Sequence, residues 1–484
     1  MRVSAPLKSE GRTNMNRTNK THRSMLQDAL FPQIVRFCLP LIAANLLQVA
    51  FNMADTVIVG LSSEPDAVGA VGTTTAFINL VVNVFIGCSV GAKVVMARAV
   101  GSKEKKAMTE TMHTALGMSV LLGLLCGVIG FAVSGAALAC MGNTGRLYTL
   151  ALVYTRVYFV GVPFVAVVNF ASALFHAAGN TKTPMVILTA GGVLNVLLNL
   201  LFVVGFHRSV EGVAAATVLS NAFCAVLLVH RLTRDSFFGL KLAQIRLHKA
   251  AFGKILHIGL PAGVQSMLFS VSHMLIQSSV LAVNNAAVSA DAAFAPVVKG
   301  VSAATGIEGF ANIAVNAVGQ AALCFVGQNV GAGDYKRVRE VRRACYLIGV
   351  CAAVLFGGLL ILLREPLFAL YGIRKAAEGS LERLAYNAAE TRTFVMLVPY
   401  AFLALMEVGS GTMQGLGRAV TAACVSLAGS CVFRVVWLLT VFPKAPTLVC
   451  IFVSFPLSWL LTAAVHFICA EVILKKCEKQ LNKA

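Results

Sequence analysis

Long apolar runs, separated by short polar segments, fill almost the whole chain. Runs able to cross about 30 Å of hydrocarbon fall near 35–61, 68–97, 112–139, 148–175, 184–206, 212–230, 255–283, 292–326, 344–363, 393–415, 420–442 and 447–472. Each predicts a helix, because lipid offers backbone N–H and C=O groups no partner. The ten-residue alternation of a membrane β-barrel does not occur. The pattern predicts an all-α polytopic membrane protein with twelve transmembrane helices in two pseudo-symmetric six-helix bundles.

The polar segments carry a second pattern. RAVGSKEKKA (98–107) after span two matches QNVGAGDYKR (328–337) after span eight. Leu39-Pro40 matches Leu260-Pro261, Pro163 matches Pro399, and ALFHAAGNTK (173–182) matches GTMQGLGRAV (411–420), with Gly179 against Gly417. The chain therefore divides into a basic tail (1–33), a first lobe (34–238), a linker (239–254), a second lobe (255–472) and a C-terminal tail (473–484). Both copies start from the same side, as parallel repeats about an axis along the membrane normal do. The glycines of GQNVGAG are expected to end a helix. The basic run behind them is expected to hold that end at the inner leaflet.

Composition agrees. The chain is 58% hydrophobic and 12% charged, with mean hydropathy +0.80, against roughly 25% charged residues in soluble domains. A net charge of +20 raises the question of nucleic acid. However, most Lys and Arg residues lie in the N-terminal tail, 98–106, 231–254, 336–343 and the C-terminal tail. That is positive-inside anchoring, with both termini cytoplasmic, in a plasma (inner) membrane, and no nucleic-acid partner is expected. The basic tail precedes a full span, so no cleaved signal peptide is expected, and the sequons at Asn16 and Asn19 stay unused. No GxxxxGK[ST] occurs, so no nucleotide is expected. The 13 cysteines form no CxxC and the histidines no HExxH, so no metal centre, cofactor or enzyme activity is expected.

Ionisable groups inside spans each cost roughly 2.5–3.5 kcal/mol on insertion scales and so ask for a reason. Asp55 lies in span one beyond Pro40, which can kink that helix as Pro261 can kink span seven. A carboxyl withdrawn from water favours its protonated form, which suits proton coupling; a structural acid is the other reading. Asn195 and Asn199, four apart on span five, share a face, and Thr217 on span six can add a hydroxyl. These amides serve either an ion or interhelical bonding. Glu308 and Glu407 are second-lobe acids. Glu308 shares a face with Asn312; Lys299, nine residues earlier, lies about 13 Å away along the helix, too far for an intrahelical pair; Glu407 could pair with Arg434. Asp291 stands at the outer mouth of span eight. Lys93 and Arg156 are expected near span ends, snorkelling.

LPLIAANLLQVAFNMADTVIVG, YFVGVPFVAVVNFASALFHAAGNTKTP, GGVLNVLLNLLFVV, FVGQNVGAGDYKRV, GTMQGLGRA and FRVVW, in this order, resemble the multidrug and toxic compound extrusion (MATE) family over nearly the whole length. The resemblance implies export of organic substrates in exchange for H⁺ or Na⁺; small organic compounds and the lipid bilayer are the expected partners, and a monomer is the expected working unit. It also implies a first-lobe cation or proton site at Asp55, Asn195, Asn199 and Thr217. Asn199 stands where that branch of the family has a carboxylate, which leaves H⁺ and Na⁺ both open. A flippase for lipid-linked saccharides, from the same superfamily, is the alternative; it would call for a strongly cationic cavity.

Overall fold

The computed structural model describes residues 25–27, 29–62, 64, 66–288 and 294–481. Arg2 to Arg23 of the basic tail, both sequons, Asp291 and the last three residues lie outside the described residues. Among the described residues every regular element is a helix. The helices are α1 (Leu30–Val59), α2 (Ala67–Gly101), α3 (Lys105–Cys140), α4 (Gly145–Ala177), α5 (Lys182–Leu200), α6 (Val210–Arg234), α7 (Lys249–Ala287), α8 (Pro296–Gly331) and α9 (Tyr335–Leu362). The short α10 (Arg364–Leu370) follows, then α11 (Leu381–Leu397), α12 (Tyr400–Gly415), α13 (Ala419–Ser426), α14 (Phe433–Thr440) and α15 (Leu448–Leu481). Eleven of the spans so formed can cross a membrane, and α11 with α12, bent by 50°, makes a twelfth.

Three breaks shape the spans. Pro399 ends α11, because it has no N–H and crowds the preceding turn. Single π-helical stretches follow α5 (Leu201–Gly205) and separate α13 from α14 (Leu427–Val432); such stretches often mark functional sites. Pro40 and Pro261 lie inside uninterrupted helices. Span ten begins at Leu381 rather than near 393. Its first half, LERLAYNAAETR, is amphipathic, so hydropathy alone reads it as loop.

One core gathers α2, α3, α4 and α6 around Phe85, Phe159, Phe170 and Phe175. Another gathers α8, α11, α12 and α15 around Ile307, Tyr400, Phe452 and Trp459. The first helix of each half bridges to the other: α1 packs on α5 and α8, and α7 on α13 and α2. The α2–α7 crossing uses small residues four apart, Gly87 and Gly91 against Gly259 and Gly263, which lets the backbones touch. A Cβ on Gly91 would stand 2.2 Å from Ile255 O. At the matched α1–α8 crossing, the Cys38 thiol donates to Ala317 O at 3.6 Å.

The basic ends of the long helices are packed together. A Cβ on Gly101 would lie 1.8 Å from Gln328 O, and one on Gly331 2.1 Å from Arg98 O. Gly101 and Gly331 are repeat mates, as are Arg98 and Gln328, so this is one contact made twice about a pseudo-twofold axis. These glycines therefore allow a helix crossing, beyond the helix-ending role expected of them. The turns behind them take the left-handed conformation at Lys103 (φ 56) and Gly333 (φ 76), and the matched turns Gly179 (φ 85) and Gly417 (φ 67) do the same. Gln328 Nε2 donates to Ala177 O at 2.6 Å, and Thr181 Oγ1 to Phe37 O at 3.1 Å. Lys93 is not at a span end: it is buried, and its Nζ donates to Gln320 Oε1 of α8 at 2.5 Å. Arg156 is exposed and lies over the Phe131 ring. The basic run of α9 is only partly free for lipid, since Arg339 binds Glu471 and Glu478 and Arg342 binds Glu471.

Candidate functional site

Two polar cavities lie within the helical halves. The first is small, about 110 Å³, and is lined by Asp55 and Asn52 of α1, Asn195 of α5, and Thr217 and Asn221 of α6. Helical spacing builds it. Asn195 and Asn199 stand one turn apart on the face of α5 that packs against α1 and α6, and both are buried, Asn199 completely. Asn199 Nδ2 donates to Asp55 Oδ1 at 2.6 Å. Thr217 Oγ1 donates to Val213 O at 3.0 Å, which leaves its lone pairs for a neighbour.

The neighbours of the Asn195 amide decide between its two possible orientations, and favour the one that turns its nitrogen to Asp55. In one, Nδ2 donates to Thr217 Oγ1 at 3.4 Å, and Oδ1 accepts from Asn199 Nδ2 at 3.3 Å. In the other, the amide nitrogen donates to Asp55 Oδ1 at 2.7 Å and reaches Oδ2 at 3.3 Å. An ionised carboxylate has only acceptors and needs the second orientation, while a protonated one can donate and is compatible with the first. Asn199 Oδ1 is buried without a protein donor, an acceptor that suits a cation. All four residues expected at this site are thus together.

The second cavity, about 410 Å³, lies among α7, α8, α11, α12, α14 and α15. Glu308 and Glu407 both line it; Glu407 lacks the Arg434 partner suggested for it, and Glu308 pairs across helices rather than with Lys299, nine residues before it on the same helix. Arg392 Nη2 donates to Glu308 Oε2 at 2.8 Å, and Lys299 instead donates to Gly372 O and lies over Phe294. Arg434 Nε donates to Ser458 Oγ at 3.0 Å, with its guanidinium 4.0 Å above the Phe455 ring. Among the described residues no ion pair joins it to Glu407. Arg392 lies over Phe452 and Phe455 at 4.9 and 5.9 Å.

The MatE family model matches residues 40–201 and 261–440, both repeats and well over half of the chain. The chain belongs to the MATE family. MATE proteins are membrane transporters and not enzymes. Among relatives, "Probable multidrug resistance protein YoeA" of Bacillus subtilis (strain 168) is 24% identical over 399 residues, covering 81% of this chain and 82% of its own. "Probable multidrug resistance protein NorM" of Thermotoga maritima is 26% identical over 347 residues, covering 70% and 72%. A structure titled as the outward-facing conformation of a multidrug resistance MATE family transporter superposes with TM-score 0.83 at 18% identity, covering 94% of this chain and 98% of that one; at that identity it shows the fold.

Sequence reasoning missed Arg392 in this MATE protein. It stands one residue before the apolar run of span ten and reads as an outer-loop charge. Its only signal was the amphipathic pattern of 381–392. Its removal should be costly, because a buried charge without its partner destabilises by about 3–5 kcal/mol. Arg392→Met is expected to melt well below wild type in detergent. The double variant Glu308→Leu/Arg392→Met should recover most of the loss, since no charge is then left unpaired.

Proposed function

We propose that this MATE protein is a secondary active antiporter. It exports organic, cationic or amphipathic compounds in exchange for H⁺ or Na⁺ by alternating access. Its lobes are residues 34–238 and 255–472, with 239–254 as linker. The basic face lies in the cytoplasm and the chain in the plasma (inner) membrane. The observation that carries this reading is the Asp55 site: a single carboxylate, partly buried, held by Asn199 and within reach of the Asn195 amide beside a cavity. Ion occupancy there can bias the inward–outward equilibrium, because a ligand shifts populations by its differential affinity for the two states. A proton on Asp55 reverses what Asn195 must offer it, which changes the bonding between α1, α5 and α6. A Na⁺ would use the Asp55 carboxylate with the oxygens of Asn195, Asn199 and Thr217.

The test is purified protein in liposomes with an imposed pH or Na⁺ gradient and a fluorescent organic cation. Movement driven by one gradient names the ion. Movement that follows neither overturns the antiport reading.

A further inference from the structure

The linker between the lobes is fastened to the first lobe. Its residues 241–248 lie along the first turns of α3. The ring nitrogens of His113 stand 2.8 Å from Thr109 O and 3.2 Å from Lys241 O, and the His248 N–H donates to Thr114 Oγ1 at 3.1 Å. Between this segment and α3 a cavity of about 640 Å³ opens on the basic face, with Lys105, Lys106, Arg246, His248 and Glu110 in its wall. Glu110 is answered by His248, whose Nδ1 lies 3.9 Å away. Arg246 uses only Nε, on His248 Nε2 at 3.3 Å. Its Nη nitrogens and the ammonium groups of Lys105 and Lys106 have no acceptor among the described residues. Three apolar side chains of the same segment, Leu242, Ile245 and Leu247, are exposed. Two of them reach hydrocarbon depth: a Cβ on Gly117 would stand 3.1 Å from Leu247 Cδ2 and 3.6 Å from Ile245 Cγ2. Gly117 lies inside the apolar run that begins at 112.

We propose that this cavity binds the head group of an anionic phospholipid, whose acyl chain lies over Leu242, Ile245 and Leu247. Charge and depth both point there. Cations at a membrane surface draw anionic lipid, each worth about fivefold in affinity. Three cations against one carboxylate leave a net attraction. Arg246 and the two lysines can meet a phosphate with charge-assisted hydrogen bonds, about twice as strong as neutral ones. The exposed apolar side chains call for an apolar cover, and an acyl chain supplies it at the depth where they stand. A free phosphate ester would use the cations alone and leave those three side chains bare, which separates the two sources of the same chemistry. A lipid held here ties the linker to α3 and so sets the start of α7, the helix that packs on both α2 and α13. The assignment does not depend on which ion drives transport.

Native mass spectrometry of the full purified chain, titrated with dioleoyl phosphatidylglycerol (anionic) or dioleoyl phosphatidylcholine (net neutral), tests the assignment. Wild type should bind the anionic lipid about tenfold or more tighter at its tightest site. Lys105→Gln/Lys106→Gln/Arg246→Gln should lose that preference. All three side chains are exposed, so the melting temperature should not move. Arg374→Gln/Lys375→Gln/Lys444→Gln removes as much charge from exposed positions at the other end of the spans and should keep the preference. Leu242→Ser/Ile245→Ser/Leu247→Ser should weaken the anionic lipid about tenfold. Glycerol phosphate, the same head-group chemistry without acyl chains, should not displace the lipid from wild type. No preference in wild type, a cation variant that keeps it, a control variant that loses it as fully, or an apolar variant that binds as tightly as wild type would overturn the proposal. Displacement by glycerol phosphate would make the cavity a site for a free phosphate ester and overturn it as well.

Discussion

Asp55→Asn is expected to lower gradient-driven accumulation in liposomes by about tenfold or more, the scale of a coupling free energy between two sites, with little change in heat stability. Asparagine has nearly the volume of aspartate and keeps an oxygen where Asn199 Nδ2 now donates at 2.6 Å. The fold therefore loses little. What disappears is the ability to change between an acceptor-only carboxylate and a protonated acid. A proton-coupled wild type should show cargo affinity that varies with pH; in Asp55→Asn that variation should flatten. A Na⁺-coupled wild type should show the same contrast against Na⁺ concentration. Asp55→Ala separates function from structure, because it strands the fully buried Asn199 amide at a cost of about 1–3 kcal/mol and should melt lower. Asp55→Asn protein that keeps full gradient-driven movement would end the coupling role.

The polar residues of this site were legible before the structure because each is marked locally; that they meet across three helices, as Asn199 meets Asp55, was implied only by the family resemblance. Asn195 and Asn199 are one helical turn apart, and the apolar runs around Asp55 and Thr217 left each as a polar residue needing a reason. The helix count was legible for the same reason, since hydrocarbon thickness sets span length. The second cavity was not. Its pairings join residues far apart in the chain, such as Arg392 with Glu308 and Arg434 with Ser458, and spacing carries no information on which helices become neighbours. Arg392 was lost for a further reason. A charge satisfied inside the protein can sit in an amphipathic segment, which hydropathy assigns to water. Lys93 misled in the same way, as a cation at depth whose partner, Gln320, belongs to the other repeat.

Gly101→Ala and Gly331→Ala are expected to shift the conformational equilibrium away from the arrangement seen here, each by a similar amount. The added Cβ would meet backbone oxygen at 1.8 and 2.1 Å, and no rotamer change can relieve a contact with backbone. Overpacking of this kind costs about 1–3 kcal/mol. The cost falls only on the state in which the basic ends of α2 and α8 cross. A carrier that alternates must separate these ends to open that face, so the opened state escapes the penalty. A shift of 1.4 kcal/mol changes the population ratio about tenfold. Spin labels at Lys105→Cys and Lys336→Cys, with exposed Cys140, Cys351 and Cys424 replaced by serine, should report a longer distance in both glycine variants. Gly358→Ala is the control: its Cβ would meet nothing within 4 Å, and it should leave the distance unchanged. The repeat makes the comparison sharp, because Gly101 touches Gln328 as Gly331 touches Arg98. Two variants at opposite ends of one pseudo-symmetric contact should behave alike. If one lengthens the distance and the other does not, the crossing is not the shared hinge of the two halves.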